Sequence, residues 1–255
     1  MKILALDSSG LVAGVALIQD DVLIAEYTTN YKKTHSQTLL PMLDEIKKMV
    51  ELDLHTVDVI AVSAGPGSFT GLRIGSATAK GLGLSLGIPI AAVPTVDALA
   101  YNLYGTDKLV CPLMDARRSQ VYTGIYTFEK KEDAYRQKNV LEQCALPVQA
   151  LAEKLNTLDR EVIFLGDGVP VYKETLKELL QIPFSFAPAS CNRQRAASVG
   201  VLGALLAREN KLVSADAFAP EYLRMSQAER ERMEADEMQR ERMKAGITPR
   251  NRAGN

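Results

Sequence analysis

The sequence predicts an α/β protein made of two similar halves. Three observations carry that prediction: short apolar runs alternate with helical patterns in the order βββαβαβα, a looser version of the same order recurs after residue 104, and a glycine-rich elbow joins a strand to a helix near residue 65. The 255 residues suffice for two small cores, since domains commonly run to about 100–150 residues.

Residues 3–7, 12–18 and 22–27 are short apolar runs separated by Ser8-Ser9-Gly10 and Gln19-Asp20-Asp21, the punctuation of a hairpin meander. A helix is predicted over 36–50, where Leu39, Leu43, Ile46 and Val50 form one stripe, Met42 and Met49 widen it, and Leu40 falls outside it. Pro41 removes one backbone bond and is expected to bend the early turns. The strand 57–63 runs into Gly65-Pro66-Gly67-Ser68, and a helix follows from Thr70 or Gly71 to Leu86. Residues 88–93 form the next strand, before a third helix with Thr95 as its N-cap. In the second half, strands are predicted at 109–114, 120–128, 140–145 and 161–165, with helices at 148–155 and 171–180. A last helix, 196–209, fits either half. The break Tyr104-Gly105-Thr106-Asp107 sets the expected domains at 1–104 and 105–225, and the highly charged 226–255 reads as a solvated helix or disordered tail.

With 47% hydrophobic and 24% charged residues and a formal net charge of -1, the chain is globular and has no broad basic surface for nucleic acid, which would then be a partner's business. Cys111, Cys144 and Cys191 are odd in number and far apart. That disfavours a disulfide framework or a zinc site and suits buried thiols in a reducing compartment. Without a basic leader or a run of about 18 apolar residues, a soluble cytoplasmic protein is expected. His35 and His55 are the only imidazoles, so no His-x-x-x-His pair exists for a metallopeptidase. Ser68 lies in Gly67-Ser68-Phe69, which is not a hydrolase elbow, and the glycine segment lacks the Lys-Ser/Thr of a P-loop and the GxGxxG order. His35 is expected to cap its helix or lie at the surface.

Two readings are open for Asp7-Ser8-Ser9 at the end of the first strand. It is either a plain Asx or Ser turn, or a phosphate turn in which Asp7 holds a metal-bound water, as in the sugar-kinase and actin class. Asp115-Ala116-Arg117-Arg118 is its analogue in the second half, and Gly166-Asp167-Gly168 admits an adenosine or makes a tight turn. Facing each other, these turns would form a nucleotide cleft, the basis of an alternative reading as an ATP-dependent small-molecule kinase. In the glycine-rich helix, Gly71, Gly75, Ala79 and Gly83 recur every four residues. A glycine inside a helix costs about 1 kcal/mol relative to alanine, so this ridge predicts a very close approach. The spare apolar surface on the preceding helix suggests a second protein. The expected partner face comprises Leu39, Leu40, Met42, Leu43 and Ile46 with Gly71, Arg73, Gly75, Ala79, Leu82 and Gly83. A leucine at Gly75 or Ala79 is expected to abolish partner binding and spare the fold.

Five segments together resemble the TsaB (YeaZ) family: LALDSS at 4–9, HSQTLLPMLDE at 35–45, SAGPGSFTGLRIGSATAKGL at 63–82, MDARRSQVY at 114–122 and APEYLR at 219–224. The resemblance spans nearly all of residues 1–224. It implies two ribonuclease-H-like domains of the actin and sugar-kinase superfamily, with mixed sheets flanked by helices. It further implies a noncatalytic part in adding a threonylcarbamoyl group to N6 of the adenosine next to the tRNA anticodon. In that role the chain pairs with and activates TsaD through the helices at 35–50 and 71–86, and the ATPase TsaE joins. Alone, the chain pairs with itself through the same helices. The assembled complex uses ATP, the isolated chain needs no cofactor, tRNA is reached indirectly, and no membrane is involved. Asp7, Ser8, Ser9, Asp115, Arg117, Arg118, Gly166, Asp167 and Gly168 would then be a vestigial nucleotide cleft. TsaD-like proteins carry a metal-binding histidine motif after their fifth strand, whereas the matching stretch here, Val93-Pro94-Thr95-Val96-Asp97-Ala98-Leu99, has no histidine. No catalytic or metal-binding residue is assigned.

Overall fold

A computed structural model describes residues 1–31 and 33–224, together with Arg232. The expectation of a charged tail therefore lies outside the described residues, Arg232 apart. The first half opens with β1 (Lys2–Asp7), β2 (Ala13–Gln19) and β3 (Val22–Thr29), followed by α1 (His35–Met49), β4 (Val59–Gly65), α2 (Phe69–Leu86), β5 (Ile90–Pro94) and α3 (Thr95–Tyr101). The second half runs β6 (Leu109–Asp115), β7 (Gln120–Lys131), β8 (Ala134–Pro147), α4 (Val148–Leu158), β9 (Val162–Leu165), α5 (Val169–Leu179), β10 (Phe184–Phe186) and α6 (Ala196–Arg208).

The strands form two five-stranded mixed sheets, ordered β3-β2-β1-β4-β5 and β10-β9-β6-β7-β8. Both follow one rule. The first strand pairs antiparallel with the second, and the second with the third, while the fourth lies parallel to the first and the fifth parallel to the fourth. The duplication read from the order of elements is thus repeated in the hydrogen-bonding, and the fold class is two ribonuclease-H-like mixed sheets flanked by helices. The compact unit Met1–Leu223 contains both.

On one face of the first sheet, Leu39, Met42, Leu43 and Ile46 of α1 and Ala79 of α2 are buried with Leu4, Leu6, Val15, Leu17, Ile60 and Val62. The other face takes α6, the helix the sequence could not assign. Small residues let it sit close: a Cβ on Gly200 would lie 2.6 Å from Ile18 Cδ1, and one on Gly203 2.5 Å from Ala61 Cβ. Its start is pinned by Glu26 of β3, whose carboxylate accepts the Ala197 N–H at 3.0 Å and pairs with the Arg195 guanidinium. In exchange, α3 of the first half packs on the second sheet, burying Val96, Leu99 and Ala100 with Val110, Met114, Tyr126 and Phe128.

Several local expectations change. Thr95 does not cap α3: it is the first helical residue after Pro94, and its hydroxyl accepts the Gly65 N–H at 3.2 Å. β8 starts six residues before the expected 140, because there it alternates half-buried Tyr135, Gln137 and Asn139 with exposed Arg136 and Lys138 and so has no apolar run. Cys111 is buried, but Cys144 and Cys191 are only half-buried; all three are free thiols. Among the described residues no helix is long and apolar enough to cross a membrane.

Candidate functional site

The glycine elbow and the Asp7-Ser8-Ser9 turn form one closed structure. Asp7 Oδ1 accepts the Ser9 N–H at 2.9 Å and the Ser9 hydroxyl at 2.7 Å, which makes the turn an Asx turn. Above it, Ser68 N–H donates to the Ser9 carbonyl at 2.7 Å, and Ser8 Oγ donates to the Gly71 carbonyl at 2.9 Å. Ser68 also N-caps α2, accepting the Gly71 N–H on its hydroxyl. Asp7, Ser8 and Ser9 are all buried, and burial pushes the Asp7 carboxyl above its ordinary pKa against the opposing hydrogen bonds from Ser9. The start of α2 is thus bonded directly over Ser8 and Ser9. His35 neither caps α1 nor stands free; its Nε2 donates to the Gly10 carbonyl at 2.8 Å, tying α1 to the same turn.

The second pair of turns is brought together in the other half. Gly168 N–H donates to the Leu113 carbonyl at 2.8 Å, just before Asp115. A Cβ on Gly166, whose φ is +108°, would lie 2.1 Å from that carbonyl oxygen. Asp115 Oδ1 accepts the Arg117 N–H at 2.9 Å and the Tyr172 hydroxyl at 3.1 Å, while Arg117 and Arg118 stand exposed. The Asp167 carboxyl is raised above its usual range by burial, and its Oδ1 lacks a protein partner. The chain's own segment 192–194 reaches both sets of turns. The Asn192 carbonyl accepts the Gly166 N–H at 3.0 Å, the Arg193 guanidinium donates to the Gly166 carbonyl at 2.9 Å, and the buried Gln194 side chain lies against Gly10. Gln194 was not legible as part of the site, since nothing in its sequence surroundings marks it. Among the described residues, no three His, Cys, Asp or Glu side chains gather as a metal-binding group.

The predicted partner face requires a correction. The ridge of Gly71, Gly75, Ala79 and Gly83 faces the chain's own sheet. A Cβ on Gly71 would lie 2.1 Å from the Ser8 carbonyl oxygen, one on Gly75 2.5 Å from Ser8 Oγ, and one on Gly83 2.8 Å from Ala215 Cβ. Leu39, Met42, Leu43 and Ile46 are buried on the same side, and Leu82 is half-buried against them. The close approach inferred from the spacing is real, but what approaches is the chain itself: Ser8 at Gly71 and Gly75, and Ala215 at Gly83. Of the predicted set, Leu40, 54% exposed, and Arg73 face solvent.

The outward face of α2 is a different stripe: Arg73, Ala77, Gly81 and Leu84, with open space over Gly81. Beside it α1 exposes Leu40, Asp44, Lys47 and Met49, the last 81% exposed. The N-terminal end of the α2 stripe is organised by Arg73, whose guanidinium stacks 4.3 Å above Phe69, and by Tyr222, whose ring is 4.9 Å from Phe69. Tyr222 is held there by the strap that returns along α2, where Lys80 Nζ donates to the Asp216 and Phe218 carbonyls and Glu221 N–H to the Ala64 carbonyl.

Residues 22–232 match the family model described as TsaD, tRNA N6-adenosine threonylcarbamoyltransferase. The chain is 36% identical over 234 residues to the tRNA threonylcarbamoyladenosine biosynthesis protein TsaB of Bacillus subtilis, covering 90% of this chain and 96% of that protein. It is 28% identical over 181 residues to the Escherichia coli protein of the same name, covering 70% of this chain and 76% of that protein. The solved structure of YeaZ from Pseudomonas aeruginosa superposes with a TM-score of 0.72 at 28% identity, over 87% of this chain and 99% of that one.

Proposed function

Because the chain belongs to the TsaB family of tRNA threonylcarbamoyladenosine biosynthesis proteins, we propose that it is a noncatalytic subunit that binds and activates a TsaD-type transferase. The observation that carries the noncatalytic reading is the closed first turn: Ser8 and Ser9, where a kinase of this fold would receive phosphate, are bonded to Gly71 of α2 and to its N-cap Ser68. Against the kinase alternative stands the tight packing at that turn, where a Cβ on Gly67 would lie 2.3 Å from the Ser9 carbonyl oxygen and one on Gly71 2.1 Å from that of Ser8. The partner face is the outward stripe of Arg73, Ala77, Gly81 and Leu84 on α2 with Leu40 and its neighbours on α1. Ala77 and Gly81 let a facing helix approach closely, and Leu40 and Leu84 supply apolar contact. The same face accounts for self-pairing through these helices when the transferase is absent. ATP consumption belongs to the assembly with its TsaE-type ATPase, tRNA is reached through the transferase, and the setting is the cytoplasm.

The test is binding to the purified transferase. Leu40→Asp combined with Ala77→Arg places charge on two exposed positions, so the fold and melting temperature should hold while affinity falls at least about tenfold. Unchanged affinity in a folded variant would overturn the assigned face.

A further inference from the structure

An open sheet edge offers unpaired backbone groups to another strand, and natural proteins blunt such edges with short strands, charges or covering chain. Three of the four edges here are blunted. On β5, Val213 exchanges two hydrogen bonds with Ile90, at 2.8 and 2.9 Å. β10 has three residues, and β8 turns Arg136, Lys138 and Glu142 outward. β3 differs. Val22, Leu23, Ile24 and Tyr27 are 58, 43, 44 and 45% exposed, and Tyr31 just beyond is 70% exposed. The one charge on the strand, Glu26, is turned toward α6 and held by Arg195 and Ala197.

The pairing of β2 with β3 slips by one between Leu17 and Ile18, so Ile24 is a bulge residue and the regular open ladder is Ala25–Thr29. Ala25, Tyr27 and Thr29 point to the α1 side, opposite Leu17, Val15 and Ala13. On that side a surface cavity of about 260 Å³ is lined by Tyr27, Thr29, Tyr31, Lys33, Pro41 and Met42.

We propose that β3 pairs antiparallel with β3 of a second copy of this chain, about a two-fold axis at Tyr27, joining the two first sheets into one of ten strands. The strip matches itself in this register: Tyr27 faces Tyr27, Glu26 faces Thr28, and Ala25 faces Thr29, so no like charges meet. Antiparallel pairing also lays the Val22–Ile24 end of one copy along the Tyr31 end of the other, and the two exposed apolar stretches cover each other. The charges at those ends agree. Asp20 and Asp21 of one turn, already paired with the amino terminus and Arg208, come alongside Lys33. This contact uses the edge of the sheet and leaves the outward stripe of α2 free, and it holds whether or not that stripe binds a transferase.

Sedimentation equilibrium on the full chain carrying Leu40→Asp and Ala77→Arg, which disables the helix face, tests the edge alone. A concentration-dependent dimer is expected. Adding Tyr27→Lys, which sets two ammonium groups opposite each other at the axis, should raise its Kd about tenfold or more, whereas Tyr27→Phe should leave it unchanged. Melting temperatures close to the parent's establish that the variants are folded. A parent that stays monomeric up to about 100 µM, or a folded Tyr27→Lys variant that associates as before, would overturn the proposal. Neither result touches the assignment of the helix face, which is read from transferase binding.

Discussion

Gly71→Ala should unfold the protein at a markedly lower temperature, although alanine is the better helix former. The added methyl would sit 2.1 Å from the Ser8 carbonyl oxygen and 3.3 Å from Ser68 Cβ. That oxygen is backbone, in a turn fixed by the Ser9-to-Asp7 bond at 2.9 Å and the Ser68-to-Ser9 bond at 2.7 Å. Relief requires the turn and α2 to separate by roughly an ångström. Overpacking of this kind costs about 1–3 kcal/mol, and weakening one or two buried hydrogen bonds adds about 0.5–1.5 kcal/mol each. The gain in helix propensity is at most about 1 kcal/mol. The balance is a loss of about 2–4 kcal/mol, or a fall in Tm of about 5–15 °C for a chain of this size. Gly81→Ala is the internal control: same helix, same chemistry, no atom within 4 Å of the new methyl. It should gain about 0.5–1 kcal/mol. Urea unfolding or scanning calorimetry on the two variants decides the matter. A Gly71→Ala protein as stable as wild type, or a Gly81→Ala protein destabilised alongside it, would refute the assignment of the ridge to the chain's own packing.

Asp97, in the first turn of α3, accepts a 2.7 Å hydrogen bond from the Tyr126 hydroxyl, and burial pushes its carboxyl up to about 6 from 3.8. The folded chain therefore holds this proton more tightly than the unfolded chain, and the group's contribution is most favourable below about pH 4 and declines as pH rises to about 6. Asp97→Asn, which can still accept from Tyr126, should be more stable than wild type at pH 8 by about 1–3 kcal/mol, with the difference vanishing near pH 4; equal stability across that range in urea titrations would contradict the reading. Glu26→Ala removes the acceptor for Ala197 N–H and Arg195 at the start of α6, and should cost about 2 kcal/mol, while Glu26→Gln, which keeps an acceptor, should cost less by the same measurement.

How much of this was legible in the sequence depended on how local the cause was. The continuous apolar runs of β1, β2 and β4 and the periodic stripe on α1 named themselves. The second sheet's β10 is three residues, Phe184–Phe186, too short to show a period, and the outer half of β8 alternates polar with charged side chains. The exchange of α3 and α6 between the halves was not legible, because a helix apolar around much of its surface does not say which sheet it meets. The glycine ridge shows the limit most plainly. Four-residue spacing of small side chains states that a backbone comes close, but the identity of that backbone, a turn whose Ser8 bonds to Gly71 from 63 positions away, is set by topology. The residues that do face solvent, Ala77, Gly81 and Leu84, have no comparable signature. Gln194 and Tyr222 act through contacts across the fold, and only the APEYLR segment carried any signal for the second.

Reconstituted modification of tRNA, with the purified transferase and ATPase subunits and with or without this chain, tests the central claim most directly. The noncatalytic-activator account predicts little threonylcarbamoyladenosine without the chain, full formation with it, and no ATP turnover by the chain alone. Full modification in its absence, or ATP turnover by the isolated chain, would contradict the account.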